Sequence, residues 1–226
     1  MNFIFLILFC IFGYGTLVLG SLKWKNSILY TVAIGCVVNA NIFNSVDYPI
    51  SIGNLVFGMN SVIYVLFLFS ILIMYIDFGK KNAITLIICS IGGIAFASII
   101  QLLTNIASNG FQIKYVYDLI AYFASCISSF VAGLILIKLF DYFKQKKFNI
   151  YLNIGVNLII ASLVDSIIYY IITLSIKISV LSLEFWLSLL SLYLGKLISI
   201  FFALISLIFL KKYCKVDKQL NDNENT

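Results

Sequence analysis

The sequence predicts an all-α fold: a polytopic transmembrane helix bundle of about seven spans, a six-helix core preceded by an extra N-terminal span. Three observations predict it. Of 226 residues, 62% are hydrophobic and 11% charged, and the mean hydropathy is +1.09, values that exclude a soluble domain. Several apolar runs approach or exceed the roughly 20 residues needed to cross hydrocarbon. The lysines gather between those runs, chiefly after every second one. A β-barrel would show short alternating segments separated by turns, and none occur.

The first span is expected over residues 2–20, with Lys23 and Lys25 after it. A signal peptide carries its positive charge before the apolar run, so this segment reads as a retained span. The second covers 27–46 and ends in Asn39, Asn41 and Asn44. Residues 47–57 hold the only proline, Pro49, within a glycine-bounded stretch expected to form a re-entrant or interfacial connection. The third span is 58–76, closed by Asp77-Phe-Gly-Lys-Lys81; the fourth is 83–104, where Gly92, Gly93 and Ala97 permit close helix approach. A polar loop over 105–117 leads to a fifth span at 118–140. The sixth is 149–174, a loop follows at 175–183, and the seventh is 184–210. Residues 1–210 thus form one transmembrane domain, and 211–226 a polar tail expected to be disordered and cytoplasmic.

Positively charged loops stay in the cytoplasm. Lysines follow spans one, three, five and seven, while the opposite loops carry only Lys114 and Lys177. This parity fits seven spans, with the N-terminus outside and the C-terminus inside a bacterial cytoplasmic membrane. The net charge of +6 is therefore a topology signal, and no nucleic-acid partner is expected. The lipid bilayer is the expected surrounding, and association with a second copy of the chain is left open.

Catalysis finds little support. There is no histidine, which removes Ser-His dyads, zinc motifs and haem ligation. Arginine is also absent, so no guanidinium fork is available for phosphate or carboxylate. Five scattered cysteines without a Cys-x-x-Cys pair read as small hydrophobes. No enzyme activity, cofactor or metal is expected.

The informative segment is the sixth span, because it places Asp165 near mid-depth. An ionisable group there costs between about 2.5 and 17 kcal/mol, so such groups face a bundle interior and mark function. At helical spacing Asn153, Asn157, Ala161, Asp165 and Tyr169 fall roughly on one face, while Ile159, Ile160, Leu163, Ile167 and Ile171 lie mostly elsewhere. The other charge at comparable depth is Lys196 in the seventh span. A polar centre that includes Asp165 and Lys196 follows. Asp165 is expected to bind a substrate or coupling ion, against a purely structural bond to another helix. Lys196 either neutralises it or touches an electron-rich ligand. Asn41, like Asn39 and Asn44, is interhelical glue or an amide site for a heterocycle. Asn157 belongs to the polar stripe, and Tyr169, Tyr170 and Tyr193 offer stacking faces to a planar ligand.

Four stretches carry a family resemblance: Ala40–Val46 with Ile52–Gly58, Phe78–Ala83, Ser162–Tyr170 and Tyr193–Phe202. In order, spacing and helix plan the chain resembles the queuosine precursor transporters (the VUT family), and it is similar to them as a divergent member. The resemblance implies import of a 7-deazaguanine-type base used in tRNA modification, with Asp165 accepting N–H groups and Lys196 and Asn41 donating. It also shows departures. The acidic residues usual before the Gly-Lys turn are missing from 70–76, leaving Asp77. Polar family positions correspond here to Gly133, Leu136, Ser162 and Ala203. The competing expectations are a substrate-binding subunit that works with a separate ATPase, a non-transporting scaffold on the same fold and, least favoured, a lipid-modifying enzyme.

Overall fold

A computed structural model describes residues 10–17, 26–44, 49–52, 55–174 and 182–210. Residues 10–17 are helical (α1), and α2 (Asn26–Asn44) follows. Next come β1 (Pro49–Ile52), β2 (Leu55–Gly58), α3 (Met59–Phe78), α4 (Lys80–Asn109), α5 (Lys114–Gln145), α6 (Ile150–Leu174) and α7 (Leu183–Leu210). The protein is an all-α polytopic helical bundle. Helices α3 to α7 are each long and apolar enough to cross a membrane, and α2 adds a shorter apolar stretch, Leu29–Asn39. The expected tail lies outside the described residues, as do the ends of the first expected span.

Two expected connections are different. The stretch expected to be re-entrant or interfacial contains an antiparallel hairpin, with Pro49 opposite Gly58 and Ile52 opposite Leu55. The Gly53-Asn54 dipeptide between the strands is a sequence signal for such a turn. The polar loop expected over 105–117 is mostly helix, because α4 runs on to Asn109 and α5 begins at Lys114. Helices of 30 and 32 residues are about 45 Å long at 1.5 Å per residue, well beyond the hydrocarbon core of about 30 Å. Gly110, at φ +68°, stops α4 in a conformation that side chains resist. Gly79, at φ +85°, likewise allows α3 and α4 to meet with no loop between them.

Helix α3 is the axis of the bundle and touches α2, α4, α5, α6 and α7. Every residue from Ser61 to Met74 is buried, the pattern of a helix apolar all round. Lipid tails are as apolar as these side chains, so close packing and interhelical hydrogen bonds drive association. Gly93 lies against Ile34 of α2, and Gly133 lies against Ile87 of α4. Gly92 meets nothing, so of the two neighbouring glycines only Gly93 serves the expected close approach.

Hydrogen bonds pin the ends of the bundle. The Tyr75 hydroxyl and the Lys80 ammonium both donate to Asp141, the latter at 2.8 Å, which joins α3, α4 and α5. Deeper in, Ser199 Oγ donates to the Val62 carbonyl at 3.1 Å. With that proton committed, Tyr14 donates to Ser199 at 2.6 Å, and α1, α3 and α7 share one buried chain.

Replacing Gly133 by Leu is expected to overpack the α4–α5 seam, where a Cβ would already stand 2.8 Å from Ile87 Cδ1. Such overpacking costs about 1–3 kcal/mol. Gly92→Leu, with nothing within 4 Å of its Cβ position, is expected to stay within about 0.5 kcal/mol of wild type. Thermal unfolding in detergent compares the two, and equal losses would refute the assigned seam.

Candidate functional site

The site starts from the stripe on α6. Asn153, Asn157, Ala161 and Asp165 are buried, while Ile159, Leu163 and Ile171 are exposed on the other side. This is the face expected from helical spacing. It points Asp165 at α7, where Lys196 sits between the buried Gly195 and the half-buried Leu197. The two side chains meet: Lys196 Nζ donates to Asp165 Oδ2 at 2.5 Å, and the residues are 2% and 5% exposed. The carboxylate is thus paired, as a charge at this depth must be.

The surroundings of Lys196 decide its role. Its ammonium has three protons. One goes to Asp165, one to Ser166 Oγ at 2.8 Å, and the third points to the Ser162 carbonyl at 3.5 Å. Ser166 in turn donates to the same carbonyl at 2.8 Å. The ammonium also lies 4.7 Å from the centre of the Tyr64 ring on α3, within range of a cation–π attraction. Lys196 is therefore fully engaged by protein, and its part is to neutralise and hold Asp165.

Asp165 is only half used. Its Oδ1 is buried and finds no hydrogen-bond partner in the protein. The Tyr64 hydroxyl and Ser129 Oγ on α5 are also buried and unpartnered. The Tyr64 hydroxyl nevertheless interacts with both Ser129 and Asp165, so three polar oxygens from α3, α5 and α6 sit together, loosely paired with one another and without a hydrogen bond of standard geometry.

The other expected site residues are placed differently. Asn157 donates to the Asn153 carbonyl at 2.7 Å and to its side chain, and Asn153 donates to the Phe140 carbonyl at 3.3 Å. Asn153 thus joins α6 to α5 about three turns from Asp165, while Asn157 bonds within α6 and its buried Oδ1 has no partner. Tyr193 donates to the Ile159 carbonyl at 3.2 Å, tying α7 to α6. Tyr169, one turn beyond Asp165, is half-buried and stands edge-on to Tyr170, whose ring meets Phe185. The backbone of Asn41 belongs to α2, and its side chain lies outside the described residues, as does that of Asn44. Asn39 is exposed and donates to the Gly35 carbonyl of its own helix.

Sequence reasoning missed Tyr64, Ser129 and Ser166. The run Ser125–Ser129 contains three serines in an otherwise apolar span, and that was the available signal. The open groove of about 360 Å³ between α4 and α5 is lined by Ile88, Ile91, Cys126, Ile127 and Phe130, and carries no polar chemistry.

Lys196→Met is expected to leave the Asp165 charge stranded and to destabilise the protein by about 3–5 kcal/mol. The combined Asp165→Leu, Lys196→Met protein removes both charges and is expected to recover most of that loss. Detergent melting curves test this, and a double variant no better than the single one would show the pair is not the coupled unit. Compared with protein-family models, curated proteins and solved structures, the chain has no match, so the chemistry of the site rests on its own geometry.

Proposed function

We propose that this membrane protein is a carrier for a small, planar, polar solute, and that the solute binds at Asp165. The observation that carries the reading is the second carboxylate oxygen: Asp165 Oδ1 is buried and makes no hydrogen bond of standard geometry, with the Tyr64 hydroxyl beside the carboxylate. A ring or exocyclic N–H group satisfies such an acceptor. The neighbouring Tyr64 and Ser129 hydroxyls supply one donor and one acceptor more. Because Lys196 already balances the carboxylate, the pair carries no net charge and suits an uncharged solute. The resemblance implies a queuosine precursor, a 7-deazaguanine-type base whose edge carries several N–H donors. The lysine distribution supports placement in a bacterial cytoplasmic membrane with the N-terminus outside. We read the protein as non-catalytic.

A second reading has its own support. Leu136 and Ala203 are fully buried in the core, and Gly133 is filled by Ile87. The positions at which the resemblance implies base-binding groups are thus packed with apolar atoms. This favours a different, smaller solute or a scaffold that does not transport. The subunit of an ATPase-driven importer is a further form of the carrier reading, identified by copurification with its ATPase.

The test is a bacterial deletion strain that depends on external base for tRNA queuosine. Wild type is expected to restore the modification. Asp165→Asn, at equal membrane abundance, is expected to lower the uptake rate about tenfold or more, since a hydrogen bond to a charged group is worth about 1.5–3 kcal/mol. Failure of wild type removes this substrate, and full activity of Asp165→Asn removes the role of the carboxylate.

A further inference from the structure

Helices α4 and α5 lie antiparallel, and two links fix their register: Gly133 stands against Ile87, and Asp141 pairs with Lys80. Just beyond the first link the two helices leave the open groove of about 360 Å³ already described. Its walls are Ile88 and Ile91 on α4 and Cys126, Ile127 and Phe130 on α5. Ile88, Ile127 and Phe130 are exposed, so the groove opens on the outer surface of the bundle.

The same two helix faces end in charge. Lys81 precedes Ile88 by seven residues, close to two full turns, and Lys138 follows Ile127 by eleven, close to three. Each lysine therefore shares a face with a residue that lines the groove. The register places Lys81 and Lys138 within about one turn of each other in depth, on the Lys80–Asp141 side of the groove. Both are exposed. Asp141 is held by Tyr75 and Lys80, and among the described residues no acid forms an ion pair with Lys81 or Lys138. A lysine near the end of a spanning helix lays its stem along apolar surface and lifts its ammonium to headgroup level. Two unpaired ammoniums therefore flank one mouth of an apolar groove, at the depth of lipid phosphates.

We propose that an anionic phospholipid docks on this face, with its phosphate between Lys81 and Lys138 and one acyl chain in the groove along Ile88, Ile127 and Phe130. Charge complementarity selects this occupant, as it does for basic pockets between spanning helices in general. A second copy of the chain, brought to the same face by a two-fold axis along the membrane normal, would set four ammoniums at one depth. Like charges so placed oppose association. A zwitterionic lipid fills the groove equally well but brings no net charge to balance the lysines. The site lies on the outside of the bundle, away from Asp165, and is independent of what the interior carries.

The full chain is purified in detergent at low ionic strength and titrated with phosphatidylglycerol or with phosphatidylcholine of the same acyl chains. Native mass spectrometry counts the lipids retained per chain. Wild type is expected to hold one phosphatidylglycerol on the order of twentyfold more tightly than phosphatidylcholine, since each lysine near an anionic group contributes about fivefold. Lys81→Gln with Lys138→Gln is expected to abolish the preference, and Lys81→Arg with Lys138→Arg to keep it. Lys144→Gln with Lys146→Gln removes the same charge from the same end of the bundle, and is expected to keep it too. Ile127→Trp fills the groove and is expected to weaken both lipids. The substituted side chains are all exposed, and detergent melting curves verify that each variant is folded. A preference that survives Lys81→Gln with Lys138→Gln, or that Lys144→Gln with Lys146→Gln lowers as much, overturns the site. Undiminished binding to Ile127→Trp overturns the acyl-chain seat. A lipid-free pair of chains that Ile127→Trp dissociates gives the face to a second copy and overturns the lipid.

Discussion

One ion pair, Lys196 on Asp165, sets the rotation of two helices. Each charge alone would be prohibitive inside the bundle, so α6 and α7 must turn these faces toward one another. Once they do, Ser162 and Ser166 lie under the ammonium, and the Tyr64 ring of α3 lies against it. The remainder of the α6 stripe then necessarily faces inward, which brings Asn153 to the Phe140 carbonyl and fixes α5 as well. The site and the packing of α3, α5, α6 and α7 are thus consequences of the same pairing.

Around that pair the protein is held by small contacts more than by a hydrophobic driving force, which is weak between helices already in hydrocarbon. Serines recur where helices meet, and many return their proton to a carbonyl of their own helix, as Ser70, Ser128 and Ser166 do. The exceptions are informative. Ser199 spans two neighbouring helices, and Ser129 has only the Tyr64 hydroxyl beside it, with no hydrogen bond of standard geometry. Ser61 on α3 and Ser90 and Ser98 on α4 are likewise buried without a partner, so what distinguishes Tyr64 and Ser129 is their place beside a carboxylate.

The neutral balance of the pair shapes what such a site can accept. A bare carboxylate would attract cations, whereas a carboxylate already held by an ammonium offers directional acceptance without net charge. Gly133, Leu136 and Ala203 are packed with apolar atoms, which leaves Asp165, Tyr64 and Ser129 as the polar groups near the pair.

The sequence by itself determined the class, the spans of α3 to α7 within a few residues over most boundaries, and the two charges that matter, because hydropathy and the expense of a buried charge are written residue by residue. It also gave the inward face of α6, since five polar or small residues at helical spacing leave no other choice. Only the tertiary structure decided that α3 is the axis, because an apolar side chain against lipid and one against protein read alike. It also decided that Lys196 is engaged by its neighbours, that Asn157 bonds within its own helix while Tyr193 ties α7 to α6, and that Tyr64 and Ser129 lie by Asp165. Those facts depend on which helices are adjacent and how each is rotated, and a hydroxyl in an apolar run carries no mark of whether its neighbour will be a carbonyl of its own turn or a carboxylate across the bundle.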